Sequence, residues 1–489
     1  MNNTPFFPSL SHILAPMGSR TAQAVVRVRA QTLCQLENCF RQWLPEDLFP
    51  KAVEEDNSRD RDYTRWRTFW CALWQSFNPG ATCRDVVRQL QALFVLEGGR
   101  QISEEDGAYC RARARLPLEE FPKALAATAK HADQLVATLN FLKGRTIKAA
   151  DGTALTLLAD TAKNRAAYPP IQCQPNQPSF PMMRVVVLFS LLSGAILAAA
   201  QGSLAVSELS LLAQLSAELT RGDILIGDRG FGCYPVIAWL QSVLGVDFIG
   251  RTTRRVDGRR RIKRLGRNDW LLEWKKGAKP SPWMSLLQWL GLPATMTLRT
   301  VKGSIYHKGF RVRQATVITT LLDPLEYPAE QILRAYLRRW RLEMCLDDLK
   351  TTLRMESLRS RSPQMAQKEL FTQLIAHNLV RCTMAQAATE REVPLDRISF
   401  KGSLDGLREF AHAMAQAKSK KKRQQVWEEL LRTMAADLVP ERPGRREPRA
   451  VKRKKNKYPR LVGPRRKFRD HAKRNDRRKL SRLRKLGLM

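Results

Sequence analysis

The chain has 489 residues, 44% hydrophobic and 27% charged, which excludes both a single small domain and wholesale disorder. Its 84 Lys and Arg stand against 46 Asp and Glu, and the formal net charge of +38 makes a polyanion, by default nucleic acid, the expected partner. The nine cysteines (Cys34, Cys39, Cys71, Cys83, Cys110, Cys173, Cys233, Cys345, Cys382) form no C-x-x-C pair and have no His at zinc-like spacing, so they read as free thiols in a reducing cytoplasm. Met1 to Ala15 lacks the basic start and apolar run of a secretion signal, and the expected location is the cytoplasm, at the nucleoid.

Residues 1–145 read as a helical, DNA-binding region. Trp66, Trp70 and Trp74 recur every fourth residue, Asn78-Pro79-Gly80 breaks the helix, and Thr82 caps a second helix carrying Val86, Val87, Leu90 and Leu93. Two helices across a tight break resemble a helix-turn-helix. The indoles belong to its core, which leaves Arg84 and Arg88 of the second helix to touch DNA.

From residue 146 the pattern turns to strands: Thr146 to Leu158 around Asp151, then an apolar run from Val185 to Ala200. That run is too short to span a membrane, and Ser193-Gly194 splits it into a hairpin of two buried strands. A helix over Leu204 to Thr220, a strand from Asp223 to Gly227 leading into Asp228, a helix over Tyr234 to Leu244 and a strand over Val246 to Gly250 follow, together a mixed α/β sheet. Residues 251–324 read as a mainly β insertion. Asp257-Gly258 marks a hairpin between basic arms that carry Arg254, Arg255, Arg259 and Arg260, a ribbon suited to phosphate contacts. Further strands are expected at Trp270 to Trp274, Met296 to Val301 and Phe310 to Leu321.

Pro328 opens a helix predicted to run to Leu353, within a catalytic region of residues 146–250 and 325–400. More helix follows, including a segment at 401–440, and the basic tail at 441–489 holds 22 Lys and Arg against 4 Asp and Glu. Along the Pro328 helix, offsets of 0, 3, 7 and 14 put Tyr336, Arg339, Glu343 and Lys350 within a stripe about 60° wide at about 100° per residue. Leu333, Leu337, Trp340 and Met344 are expected as the adjoining apolar stripe. A carboxylate among two cations and a phenol suits a phosphate-handling surface, although Arg339 and Glu343 also suit a plain i,i+4 pair. Asp151 and Asp228 each end or follow an apolar strand, a place typical of metal ligands and also of turn caps. His307 and His377 have no ligand-pair spacing and read as structural.

Taken together, Asp151-Gly152-Thr153, Asp228-Arg229-Gly230-Phe231 and the Tyr336, Arg339, Glu343, Lys350 spacing resemble the three signatures of bacterial DDE transposases in insertion sequence family four, the Tyr-Arg-Glu-Lys group. Weaker similarity runs from Tyr109-Cys110-Arg111-Ala112-Arg113 through Glu447-Pro448-Arg449-Ala450-Val451-Lys452-Arg453. The resemblance implies a multidomain α/β protein with a ribonuclease-H-like mixed-sheet catalytic core, a β insertion between the second and third acids, and helical N-terminal and C-terminal regions. It implies that Asp151, Asp228 and Glu343 bind two Mg²⁺ or Mn²⁺ ions, which serve both strand cleavage and strand transfer. Tyr336, Arg339 and Lys350 would hold phosphates of double-stranded DNA, at terminal inverted repeats and at the target, and a homodimer on DNA would hold two ends. Members that form a hairpin intermediate receive a flipped base on an aromatic side chain of the insertion, here Trp270, Trp274, Trp283 or Trp289, each of which is also suited to the core. Asp347 and Asp348 are rival third acids without the matching offsets. Two other readings keep the fold: a nuclease without strand transfer, and an inactive DNA-binding relative.

Overall fold

A computed structural model describes residues 40–50, 62–96, 101–136, 141–170, 180–252, 260–304, 314–417 and 419–440. The tryptophan helix, α1 (Arg65–Phe77), starts where Thr64 accepts the Arg67 N–H at 3.1 Å. It stops at the Asn78-Pro79-Gly80 break, where Gly80 has φ +107°. α2 (Cys83–Leu96) begins with a reciprocal cap: the Thr82 hydroxyl accepts the Asp85 N–H at 3.2 Å, and the Asp85 carboxylate accepts the Thr82 N–H at 2.8 Å. Trp70 and Trp74 are buried with Val86, Val87, Leu90 and Leu93, and Trp66 packs at their margin. The apolar spacing therefore does what it predicts. α3 (Gly107–Arg115) and α4 (Glu120–Gln134) complete this region.

The sheet begins with β1 (Ile147–Leu155) and its short extension β2 (Leu157–Leu158), followed by α5 (Ala162–Ala167). The apolar run folds as the expected hairpin, β3 (Met183–Ser190) and β4 (Ile196–Ser203), with Gly194 at φ +73° in the turn. Among the described residues no helix is long and apolar enough to cross a membrane. The helix expected over Leu204 to Thr220 is shorter, α6 (Glu208–Gln214), because the chain tightens into a 3₁₀ turn at Ser216–Glu218. β5 (Ile224–Gly227), α7 (Tyr234–Trp239) with a π turn at Leu240–Leu244, and β6 (Asp247–Gly250) come next.

Then follow β7 (Arg261–Gly266), β8 (Asp269–Lys275), α8 (Leu286–Gly291), β9 (Thr295–Ser304) and β10 (Gln314–Thr319). The predicted Asp257-Gly258 turn lies outside the described residues, and the turn that joins β7 to β8 is at Arg267-Asn268, where Asn268 takes φ 68°.

The nine strands run in the order β4-β3-β1-β5-β6-β10-β9-β8-β7. β3 is antiparallel to β1, whereas β5 is parallel to β1 and β6 is parallel to β5. The first five positions thus have the ribonuclease-H-like arrangement. The strands of the insertion continue the same sheet, because β10 pairs antiparallel with β6. Arg299 on β9 is wholly buried: it donates to both carboxylate oxygens of Asp269 on β8, at 2.8 and 2.5 Å, and to the Tyr327 carbonyl at 2.6 Å.

After Pro328 comes α9 (Ala329–Asp347), packed against β1, β5 and β6. Its buried face is Ile332, Ala335, Tyr336, Leu342, Cys345 and Leu346. This corrects the predicted stripe of Leu333, Leu337, Trp340 and Met344 at its last two members, since Trp340 is 44% and Met344 49% exposed while Leu333 packs at the margin of the core. Two overlapping apolar stripes run along this helix, and docking on the sheet buries the one that contains Tyr336. The helix also ends earlier than Leu353, as a π turn takes over at Asp348–Thr352.

β11 (Ser357–Leu358) pairs with β2, and α10 (Pro363–Glu390), α11 (Phe400–Gln416) and α12 (Lys420–Ala436) follow. α10 is buried almost all round. Truncating Leu374 or Leu379 at its centre would cost about 2–5 kcal/mol. One face of the sheet packs with α1 to α4 and α9 to α12, and the other with α6 to α8.

Candidate active site

Strand register brings the two aspartates together. β1 and β5 pair in parallel as Ile147↔Ile224, Lys148↔Leu225 and Ala149↔Ile226. Carried forward two residues, that register sets Asp151 beside Asp228, and residues in register on parallel strands share a face. It is the face on which Ile147, Ala149, Ile224 and Ile226 join the core beneath α9. Asp228 follows the last residue of β5, as expected. Asp151 does not end its strand: β1 runs on to Leu155 and pairs with Val187 of β3. β5 stops at Gly227 while β1 continues to Leu155, so Asp151 lies where the parallel pairing ends, the edge at which sites form in α/β sheets.

Asp228 is held as a turn cap, as the other reading of its position expects, whereas Asp151 is held within its strand. Asp228 Oδ1 accepts N–H groups from Gly230 at 2.7 Å and Phe231 at 3.4 Å, and Asp151 Oδ1 accepts that of Gly152 at 2.9 Å. The Asp228 loop folds back tightly enough that a Cβ on Gly232 would lie 1.7 Å from the Arg251 carbonyl oxygen. On the opposite face of β1, a Cβ on Gly152 would lie 2.6 Å from the Glu208 carboxyl carbon, so a larger residue after Asp151 would push that side chain aside.

The candidate third acid, Glu343, is on α9. Arg339 donates to Glu343 at 2.6 Å and lies 3.9 Å from Asp151, with its guanidinium 5.8 Å from the Tyr336 ring centre. Burial pushes the Asp151 carboxyl up to about 6; Arg339 and the Gly152 N–H pull it down, and Asp228 and Glu343 push it further up. Burial opposes the charge on Arg339, but Tyr336, Glu343 and Asp151 outweigh it and hold that group above its ordinary range.

Asp347 is exposed. Asp348 is pushed up to about 7 by burial, and the charges that act on it are Arg381 and Asp347, away from Asp151 and Asp228. Of the acids on this helix, Glu343 is the one that Arg339 ties to Asp151.

Lys350 sits half-buried on the π turn, and Arg229 is exposed beside Asp228. Arg84 and Arg88 are exposed on α2 and paired with Glu105 at 3.6 Å and Asp85 at 3.0 Å. Arg260 is exposed; Arg254, Arg255 and Arg259 lie outside the described residues, as do His307 and the tail. Trp274 and Trp289 are buried, Trp283 packs edge-on against Trp239, and Trp270 is flanked by Arg261 and Arg264. His377 is buried against Phe400, and burial pushes it down to about 3, as suits a structural histidine.

Motif spacing missed a cavity of about 650 Å³ between the α1–α2 break and the chain after α9. Gly80, Cys83, Arg113, Lys163, Arg354 and Arg361 are among its lining residues. They come from segments far apart in sequence, which leaves no local signal to find them by.

Residues 143–379 match the family described as Transposase DDE domain. The chain is 26% identical over 357 residues to Transposase InsG for insertion sequence element IS4 of Escherichia coli strain K12, covering 71% of this chain and 76% of that protein. A 64-residue stretch is 34% identical to the putative transposase InsL for insertion sequence element IS186A of the same organism, 13% of this chain and 17% of that one. The cryo-EM structure of the piggyBac transposase synaptic complex with hairpin DNA aligns over 82% of this chain and 85% of its own, at 10% identity and a TM-score of 0.40.

A ribonuclease-H-like sheet together with a match to a transposase DDE domain marks an enzyme of phosphodiester chemistry on nucleic acid. These matches make the chain a DNA transposase with a DDE domain at residues 143–379, similar to the insertion sequence IS4 transposase. Enzymes of this family depend on divalent metal ions.

Proposed function

We propose that Asp151, Asp228 and Glu343 are the catalytic, metal-holding acids of this transposase, that the metal is Mg²⁺ or Mn²⁺ at two ions per site, and that the chain cuts at terminal inverted repeats and joins the freed ends to target DNA. The observation that carries the reading is the guanidinium of Arg339, lodged between Glu343 at 2.6 Å and Asp151 at 3.9 Å. A cation already stands among these carboxylates. Three acids against one arginine leave negative charge that divalent ions suit, and their oxygen donors match Mg²⁺ and Mn²⁺.

Bound there, the ions supply activation of water or a 3′-hydroxyl and stabilisation of the leaving oxygen, and one pair can serve cleavage and joining in turn. The protein's own part is positional. Asp151 is fixed by the Gly152 N–H within β1 and Asp228 by the Gly230 N–H just past the end of β5, and Glu343 is carried by a helix docked on the same strands. Released from the acids, Arg339 has Tyr336 and Lys350 as companions for gripping a phosphate flanking the scissile bond. Arg229 and the arginines of α2, Arg84 and Arg88, take backbone contacts, as do Arg254, Arg255, Arg259 and Arg260. Two chains hold the two ends as a homodimer on DNA, in the cytoplasm at the nucleoid.

Glu343→Gln is the test. Metal-dependent cleavage of an end-containing DNA should fall on the order of 10³-fold, with binding to that DNA nearly unchanged. Cleavage at the wild-type rate would remove Glu343 from the site.

A further inference from the structure

Cys83, Asp106 and Cys110 bring two sulfurs and a carboxylate oxygen within 4.8 Å of one another, away from the acids described above. Cys83 is the first residue of α2; Asp106 directly precedes α3, and Cys110 follows one turn later on the same side of that helix. Cys83 Sγ lies 3.6 Å from Arg113 Nη1 and 4.0 Å from Gln75 Nε2, both turned toward the sulfur. All five residues line the 650 Å³ cavity, so the cluster faces it on one side.

We propose that Cys83, Asp106 and Cys110 bind a thiophilic divalent cation, Zn²⁺ foremost, with a fourth position open to the cavity. Two sulfur ligands select Zn²⁺ over the oxygen-seeking ions that suit the carboxylate site. The charges also fit. Two thiolates and one carboxylate carry −3, a divalent cation leaves −1, and the Arg113 guanidinium at the sulfur supplies the remaining positive charge.

Each thiol that ligates the cation gives up its proton to water as its metal–sulfur bond forms, so binding is coupled to proton release. The bound ion ties the start of α2 to α3, and so fixes the helix that presents Arg84 and Arg88. The cysteine spacing in the sequence gives no hint of this, because the ligands meet only when α2 and α3 pack.

The test uses the full chain, reduced, stripped with a chelator and titrated with Co²⁺, a coloured substitute for Zn²⁺. A thiolate-to-cobalt charge-transfer band should saturate at one ion per chain, disappear on adding Zn²⁺, and persist in Glu343→Gln. It should be absent from Cys83→Ser/Cys110→Ser, and Asp106→Asn should weaken Co²⁺ binding by about tenfold or more. Circular dichroism checks the fold of the double variant; if that variant does not fold, the Asp106→Asn titration decides. The proposal is overturned if wild-type protein with both thiols reduced gives no such band, if the band survives the double substitution, if Asp106→Asn binds Co²⁺ as tightly as wild type, or if the two cysteines are recovered as a disulfide under reducing conditions.

Discussion

Arg339 reaches Glu343 at 2.6 Å, one helical turn away on α9. The same guanidinium lies 3.9 Å from Asp151, so one side chain spans two carboxylates proposed to hold metal. A divalent ion entering between them has to displace it. Arg339→Ala should tighten Mn²⁺ binding by the DNA-free protein about tenfold, the worth of one charge-assisted hydrogen bond, and should weaken binding to transposon-end DNA. Electron paramagnetic resonance titration of free Mn²⁺ measures the first effect. Unchanged or weaker Mn²⁺ binding would mean that Arg339 does not compete for the site.

Asp151 has its own pH signature. Its carboxyl in the folded protein sits at about 6, above the ordinary 3.8, because of burial first and then its acidic neighbours. Between those values the native state holds a proton that the unfolded chain has lost, so stability falls as pH rises through this window. At neutral pH the metal-free protein carries a cost of up to about 3 kcal/mol. Asp151→Asn should raise the Tm of metal-free protein at neutral pH, and the gain should vanish below about pH 4. Calorimetry in chelator checks this, and equal Tm values at neutral pH would show that burial does not strain Asp151.

Gly232 closes the Asp228 loop against the backbone of the next segment. A methyl group there would sit 1.7 Å from the Arg251 carbonyl oxygen, a backbone atom that cannot swing aside. Gly232→Ala should destabilise the protein by about 1–3 kcal/mol and shift Asp228. Urea unfolding together with Mn²⁺ titration tests both effects; wild-type stability would mean that the loop has room to open.

Arg299 holds the insertion to the segment that leads into α9. It is fully buried, paired with Asp269, and bonded to the carbonyl of Tyr327, which directly precedes Pro328. Arg299→Met leaves the Asp269 carboxylate buried and alone, at a cost of about 3–5 kcal/mol. Arg299→Met/Asp269→Leu should recover most of that loss in chemical denaturation. If the double variant is no more stable than the single one, the carbonyl contacts of Arg299 matter more than the ion pair.

Local features of the chain were enough to read the Thr82 cap, the Gly80 break, the Gly194 hairpin and the approximate strands around Asp151 and Asp228. Caps, glycine turns and short apolar runs act over a few residues, so they are written where they operate. The Tyr336, Arg339, Glu343 spacing was legible for the same reason, since a helix turns distance along the chain into direction.

The tertiary structure alone decided which stripe of α9 is buried, because only docking on the sheet separates Tyr336 from Trp340 and Met344. It also decided that β7 to β10 continue the sheet through β6, that β5 ends beside Asp151 while β1 runs on, and that Cys83 meets Cys110. Each of these depends on a partner far away in sequence, and no local propensity encodes the identity of a distant partner.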